Sequence, residues 1–99
     1  MAGSSRHYRL SPLAEADLEK IWSYTVEAWS WEQAERYHGE MLDIFAGLAA
    51  GQLSGRRTDV REGYLKYPIG SHFVFYRLGA GGIEVIRILH QRMDVSRHL

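Results

Sequence analysis

The chain has 99 residues, of which 45% are hydrophobic, and its twelve Lys/Arg balance twelve Asp/Glu to a formal net charge of zero. A chain of this length forms one domain around one core and hides roughly two-thirds of its unfolded surface. Three Trp, six Tyr and three Phe exclude a disordered composition, and neutrality excludes a strong, sequence-independent attraction of the whole molecule to nucleic acid.

Absence of cysteine removes disulfides, thiolate metal sites and cysteine nucleophiles, and suits a reducing, cytoplasmic compartment. Met1-Ala2-Gly3-Ser4-Ser5 lacks the apolar stretch of a signal peptide, and no run approaches the roughly 18 apolar residues of a membrane span. The expected organisation is a flexible tail over residues 1–5 and a single domain over residues 6–99.

Arg6-His7-Tyr8-Arg9-Leu10 alternates and is short, which predicts a first strand. Ser11-Pro12 ends it, with Ser11 as an N-cap and Pro12 at the first helical position, where its missing N–H would have had no partner. Ala14, Leu18, Ile21, Trp22, Thr25 and Trp29 then recur at helical spacing, while Glu15, Asp17, Glu19, Lys20 and Glu27 take the other side, so a helix is expected to about Ala28. Ser30-Trp31-Glu32-Gln33 has the form of a capping box. It opens a second helix with the stripe Ala34, Tyr37, Met41, Ile44, Phe45 and Leu48, ended by Gly51. The two helices make a tight hairpin.

Gly55-Arg56-Arg57-Thr58-Asp59 is a polar connecting loop. Strands are expected at about 63–67, 72–78 and 83–90, with turns at Pro68-Ile69-Gly70-Ser71 and Gly79-Ala80-Gly81-Gly82. The expected fold is α+β, in the order β-α-α-β-β-β, with the helical hairpin on a small antiparallel sheet. If Leu78 pairs with Ile83, then Phe75 faces Ile86 and Phe73 faces Ile88 on the side toward the helices. His72, Val74, Tyr76, Val85, Arg87 and Leu89 would then lie on the other side, which is too apolar to rest in water and calls for a covering partner. In the same register Arg77 lies opposite Glu84, an expected surface ion pair.

Charge is unevenly distributed. Residues 1–50 carry four Lys/Arg against eight Asp/Glu, and residues 51–99 carry eight against four, so the helical half is acidic and the strand half basic. Arg61 and Lys66 belong to the basic surface. Residues His7, His38, His72, His90 and His98 show no metal-ligand spacing. The glycine-rich turn joins two strands instead of opening a helix, so it is no phosphate cradle. No serine sits in a nucleophile elbow.

In order along the chain, the stretch from Leu10 to Trp22, Ala34-Glu35-Arg36-Tyr37, Gly55-Arg56, His72-Phe73-Val74-Phe75-Tyr76-Arg77 and Val85-Ile86-Arg87-Ile88-Leu89-His90-Gln91-Arg92-Met93-Asp94 resemble the ParE branch of the RelE/ParE toxin superfamily. The resemblance implies a toxin of a type II toxin–antitoxin pair, neutralised by a ParD-like antitoxin whose C-terminal segment wraps it, and poisoning DNA gyrase. It implies no cofactor, no direct sequence-specific nucleic-acid binding and no membrane. The related RelE branch instead cleaves messenger RNA on the ribosome. Arg87 matches the position of a charge-stabilising arginine in those nucleases, and His90 could move a proton, imidazole being the side chain that titrates near neutrality. Gln91 departs from the nuclease pattern, which carries a Tyr or a His-Tyr pair near this point.

No catalytic residue is therefore assigned unless the chain is a nuclease, in which case Arg87 and His90 are the candidates. Target-binding candidates are Arg61, Arg87, His90 and Arg92. Antitoxin-binding candidates are the face of His72, Val74, Tyr76, Val85, Arg87 and Leu89, with Trp22 and Trp29 as hairpin anchors. A detoxified module that only binds antitoxin is a third reading.

Overall fold

A computed structural model describes residues 6–99. The expected N-terminal tail, residues 1–5, lies outside the described residues. Strand β1 (His7–Leu10) leads into helix α1 (Pro12–Ala28), which is followed by α2 (Trp31–Ala50) and strands β2 (Arg56–Arg57), β3 (Leu65–Ile69), β4 (His72–Gly79) and β5 (Gly82–His90). A 3₁₀ turn, Val95–Arg97, follows.

Both helices begin as the cap residues require. Ser11 Oγ accepts the Ala14 N–H at 3.0 Å and donates to the Ile86 carbonyl at 2.7 Å, while the Ser11 N–H reaches the Val85 carbonyl. One residue thus starts α1 and extends the β1–β5 pairing. Ser30 Oγ accepts the Gln33 N–H at 3.0 Å, and α2 ends on Gly51 with φ 80°, a left-handed residue whose N–H reaches back into the last turn.

The sheet has five strands in the order β1-β5-β4-β3-β2. The C-terminal strands form the expected antiparallel meander, but β1 lies parallel to β5, with Tyr8 opposite Ile83 and Leu10 opposite Val85, so the sheet is mixed. Gly82, at the start of β5, has φ 149°, and a Cβ there would fall on the His7 carbonyl, so only glycine allows β1 to come this close. The Gly55–Asp59 stretch, expected to be loop throughout, contributes the two-residue strand β2. Strand β3 runs two residues later than expected and includes Pro68. Strand β2 pairs only with Leu65 and Lys66, so Pro68 sits where β3 is an edge and its missing donor is tolerated.

Leu78 pairs with Ile83 as expected, but the register shifts between Phe75 and Tyr76: Tyr76 opposes Val85 and Phe75 opposes Arg87, leaving Ile86 as the extra residue of a bulge. The expected facing of Phe75 by Ile86 and Phe73 by Ile88 is therefore corrected to Arg87 and Leu89. The assignment of faces is corrected with it for Phe73, Phe75, Val74, Tyr76 and Val85, while Ile88 faces the helices and Arg87 and Leu89 look away as expected. Val74, Tyr76, Ile83, Val85 and Ile88 share one buried cluster with Ala14, Leu18, Met41, Phe45 and Leu48, so they face the helices, with Tyr8 edge-on to Phe45 at 5.4 Å. Phe73 and Phe75 contact each other on the opposite face.

That opposite face is covered in part. Phe75 and Leu89 are fully buried yet stand outside the helix-side cluster. The last residues are tied across the sheet there: Arg87, from β5, donates to the His98 carbonyl, and Arg61, from the β2–β3 loop, donates to the Leu99 carbonyl at 3.0 Å.

Candidate functional site

The polar chemistry of the molecule gathers where β1 ends and the far half of β5 would otherwise be an open edge. Pairing with β1 stops at Val85, and α1 takes over the edge. Asp17, in the second turn of α1, is buried. One carboxylate oxygen accepts both the Arg87 Nε–H at 2.8 Å and the Ile88 main-chain N–H at 2.9 Å, and the other accepts from Arg87 Nη2 at 2.9 Å. The third guanidinium nitrogen donates to the His98 carbonyl at 3.3 Å. Both oxygens of the acid and all three nitrogens of the base are thereby engaged. The pairing with Asp17 raises the affinity of Arg87 for its proton above the ordinary arginine value, against the opposing effect of burial.

Beside it, α2 delivers Tyr37 to the turn between β3 and β4. The Tyr37 hydroxyl is 2.7 Å from the Ile69 carbonyl and 2.8 Å from His72 Nδ1. Its single hydrogen goes to the carbonyl, so His72 is the donor in the second bond and carries its proton on Nδ1. The His72 ring meets His90 edge-on at 5.3 Å, and His90 Nδ1 accepts the Arg92 N–H at 3.1 Å. Burial lowers the pKa of His72, with His90 lowering it further and Asp17 opposing, and burial raises that of Tyr37. Gln91 Nε2 donates to the Gly70 carbonyl at 3.0 Å, which spends its amide on holding the β3–β4 turn.

The structure brings Arg87, His72, His90 and Leu89 to this end of the sheet but does not assemble the surface that the sequence suggested. Val74, Tyr76 and Val85, expected on an open face, are in the core beneath the helices. The Tyr76 hydroxyl is satisfied there by the Gly55 N–H at 2.7 Å. Leu89 is buried on the other side, Arg87 and His72 are half-buried, and Arg61 and Arg92 are exposed. Arg77 and Glu84 form the expected ion pair at 2.8 Å.

At the tip of the helical hairpin, Trp22 is half-buried and receives Trp31 edge-on at 5.1 Å and His38 at 5.7 Å. Trp29 and Trp31 are exposed at 74% and 59%, and Tyr24 and Leu13 lie open on α1. The apolar surface that this chain leaves uncovered is concentrated on the hairpin.

Two residues that matter here have no assigned role in the sequence alone. Asp17 goes to the polar side of α1 by its charge, although it lies three residues after Ala14 and four before Ile21, on the buried stripe itself. That spacing is the available signal. Tyr37 falls on the core stripe, and its hydroxyl has no sequence partner, since His72 is 35 residues away.

Among the described residues no group of three or more His, Cys, Asp or Glu side chains could hold a metal ion, and no helix is long and apolar enough to cross a membrane.

With this geometry in hand, the chain belongs to a family of small toxins. Residues 8–95 match the family described as ParE toxin of type II toxin-antitoxin system, parDE, and the chain is a member of it. It is 48% identical over 97 residues to Toxin ParE1 of Mycobacterium tuberculosis (strain CDC 1551 / Oshkosh), covering 96% of this chain and 99% of that protein. It is 42% identical over 93 residues to Toxin ParE1 of Caulobacter vibrioides, covering 93% and 96% of the two chains. A solved structure titled Chromosomal ParDE TA system from P. aeruginosa superposes with a TM-score of 0.75 over 89% of this chain and 98% of that one, at 20% identity, and so shares the fold.

Proposed function

We propose that this ParE-family toxin poisons DNA gyrase, as its likeness to ParE toxins implies, without catalysing a reaction of its own. The observation that carries the choice over messenger RNA cleavage is the state of Arg87. A nuclease needs that guanidinium free to meet the charge developing on phosphorus. Here Asp17 and the His98 carbonyl use all three of its nitrogens. His90 accepts the Arg92 N–H; Gln91, the residue after it, is bound to Gly70 and moves no proton; and the titratable ring that faces His90, that of His72, is engaged by Tyr37. Arg61, Arg92 and the outer edge of His90 remain the candidate contacts with the target, and Arg87 acts from behind them by holding the strand and the C-terminal segment in place.

The partner that keeps such a toxin silent is a ParD-like antitoxin in the same cytoplasm, in a hetero-oligomer. Because Val74, Tyr76 and Val85 are inside, the hairpin supplies the docking surface: Trp29 and Trp31 are large, rigid and exposed, flanked by Tyr24 and half-buried Trp22. Aromatic side chains of this kind anchor protein interfaces.

Expression of the chain without antitoxin tests both parts. DNA breaks with gyrase attached and intact messenger RNA are expected, and cut messenger with intact DNA would overturn the reading. Unimpaired growth would leave an antitoxin-binding module without toxicity.

A further inference from the structure

The face of the sheet turned away from the helices holds an arrangement that the toxin–antitoxin reading does not use. Arg56 and Lys66 are direct cross-strand partners in β2 and β3, so their side chains project on the same face. Like charges directly opposite one another destabilise a sheet. The Lys66 ammonium stands 4.7 Å from the centre of the Phe73 ring, on that same face, and the Arg61 guanidinium lies 5.8 Å from the Tyr64 ring.

Three cations of the basic half are paired elsewhere. Arg77 pairs with Glu84, Arg87 with Asp17 and Arg97 with Asp94. On the face away from the helices, Arg56 and Lys66 stand beside half-buried Phe73, with Arg61 in the adjoining loop; Arg57, opposite Leu65, projects from the other face, and the loop also carries Asp59 and Glu62. Strand pairing puts Arg56 and Lys66 on neighbouring positions of one face, where a bound anion would offset the repulsion between their charges. Cations spread over a flat strand surface suit a polyanion with regular spacing, which a phosphodiester backbone has.

We propose that this face, centred on Arg56, Lys66 and Phe73, contacts the phosphate backbone of duplex DNA, independently of sequence. In its biological setting the inference rests on the gyrase reading: the duplex is the one that the enzyme holds while the toxin is docked, and the toxin supplies a second, electrostatic grip on it. The contact is too small to hold free DNA tightly, as the neutral net charge requires, and gains its effect from being presented beside the enzyme.

The test uses the purified full chain, a fluorescent 30-base-pair duplex, and anisotropy over a series of KCl concentrations at low ionic strength. Weak binding is expected, with the logarithm of the affinity falling linearly against the logarithm of the salt concentration. In the variant Arg56→Ala/Lys66→Ala the affinity should fall at least tenfold at the lowest salt and the slope should shrink by about 1.8, or about 0.9 for each phosphate that is no longer neutralised. Arg36→Ala on α2 should change neither. Failure of the wild type to bind, or equal binding by the double variant, overturns the proposal. So does equal binding of polyglutamate, which would assign the face to acidic protein.

A parallel assay of gyrase-linked breaks with purified gyrase separates this contact from the gyrase reading. Breaks formed equally by wild type and double variant would remove the DNA contact and leave the gyrase reading intact. Duplex binding abolished in the double variant, with no breaks from the wild type, would keep the contact and remove gyrase as its setting.

Discussion

The two sides of the sheet are closed by different physics. On the helix side, Val74, Tyr76, Val85 and Ile88 meet Met41, Phe45 and Leu48 in a continuous apolar cluster in which the contacts are non-directional and cooperative. On the other side, closure depends on discrete polar ties: Arg87 to His98 and Arg61 to Leu99, with Lys66 resting on Phe73 beside them. The first side decides whether the chain folds. The second is held by fewer and separable contacts. Between them stands Asp17, which joins α1 to β5 through a buried ion pair and a main-chain N–H.

Substitutions should rank accordingly. Phe45 is fully buried and shared by helix and β1, so Phe45→Ala should cost about 4 kcal/mol and lower Tm by about 20 °C, read by thermal melting. A loss below about 1 kcal/mol would mean that the helix side is not the stabilising one.

Asp17→Ala leaves the Arg87 guanidinium and the Ile88 N–H without their acceptor in a mostly buried site. It should cost about 3 kcal/mol in urea unfolding. Replacing both partners by apolar residues, as in Asp17→Leu/Arg87→Met, should recover part of that loss, because the penalty is mainly the stranded charge. If the double variant were worse than the single one, the ion pair would be stabilising in its own right.

Most of the helix side was legible in the sequence, because the signals there are local and periodic. Ser11-Pro12, Ser30 and Gly51 mark the helix ends at the residues observed, and Ala34, Met41, Phe45 and Leu48 fall on the observed core. The Leu78–Ile83 pairing followed from the glycine turn. What was not legible arises from single non-local events. Val74, Tyr76 and Val85, expected to look away from the helices, are in the core, because both sides of β4 are apolar and alternation alone cannot say which one meets the helices; past the one bulged residue, Ile86, the alternation of β5 is reversed, so Ile88 faces the helices and Arg87 and Leu89 look away as expected. The charge of Asp17 points to water and its position to the core, and a buried carboxylate is stable once an arginine and an N–H converge on it. The target-site candidates were legible as basic residues, but the sequence held nothing to show that Arg87 is occupied by a residue 70 positions away.

The His72 cluster gives a smaller effect, with a sign. His72 binds its proton less readily in the fold than its ordinary value of 6.5, first because it is desolvated and second because His90 faces it, while Asp17 acts the other way. The unfolded chain therefore takes up the proton first. The stability contributed by neutral His72 is complete above pH 6.5, is lost as the pH falls through that value, and levels off once the pH is below the folded-state pKa. His72→Asn keeps a donor toward Tyr37 and should flatten this part of the stability–pH curve, measured by urea unfolding between pH 7.5 and 5 (roughly the window in which an imidazole titrates). An unchanged curve would place the acid sensitivity in another group.

The smallest effect is the sharpest test of the contrast between the two sides. Arg61 is exposed and contributes one hydrogen bond to the Leu99 carbonyl, so Arg61→Ala should cost under about 1 kcal/mol and leave Tm nearly unchanged. Its consequence should instead be local. The N–H groups of Arg97, His98 and Leu99 are held by the turn that begins at Asp94, and their hydrogen exchange should quicken in the variant, while that of Ile88, held by Asp17, should stay as slow as in the wild type. Equal acceleration at Ile88 would mean that the C-terminal segment unfolds together with the sheet, and that the two sides are one cooperative unit.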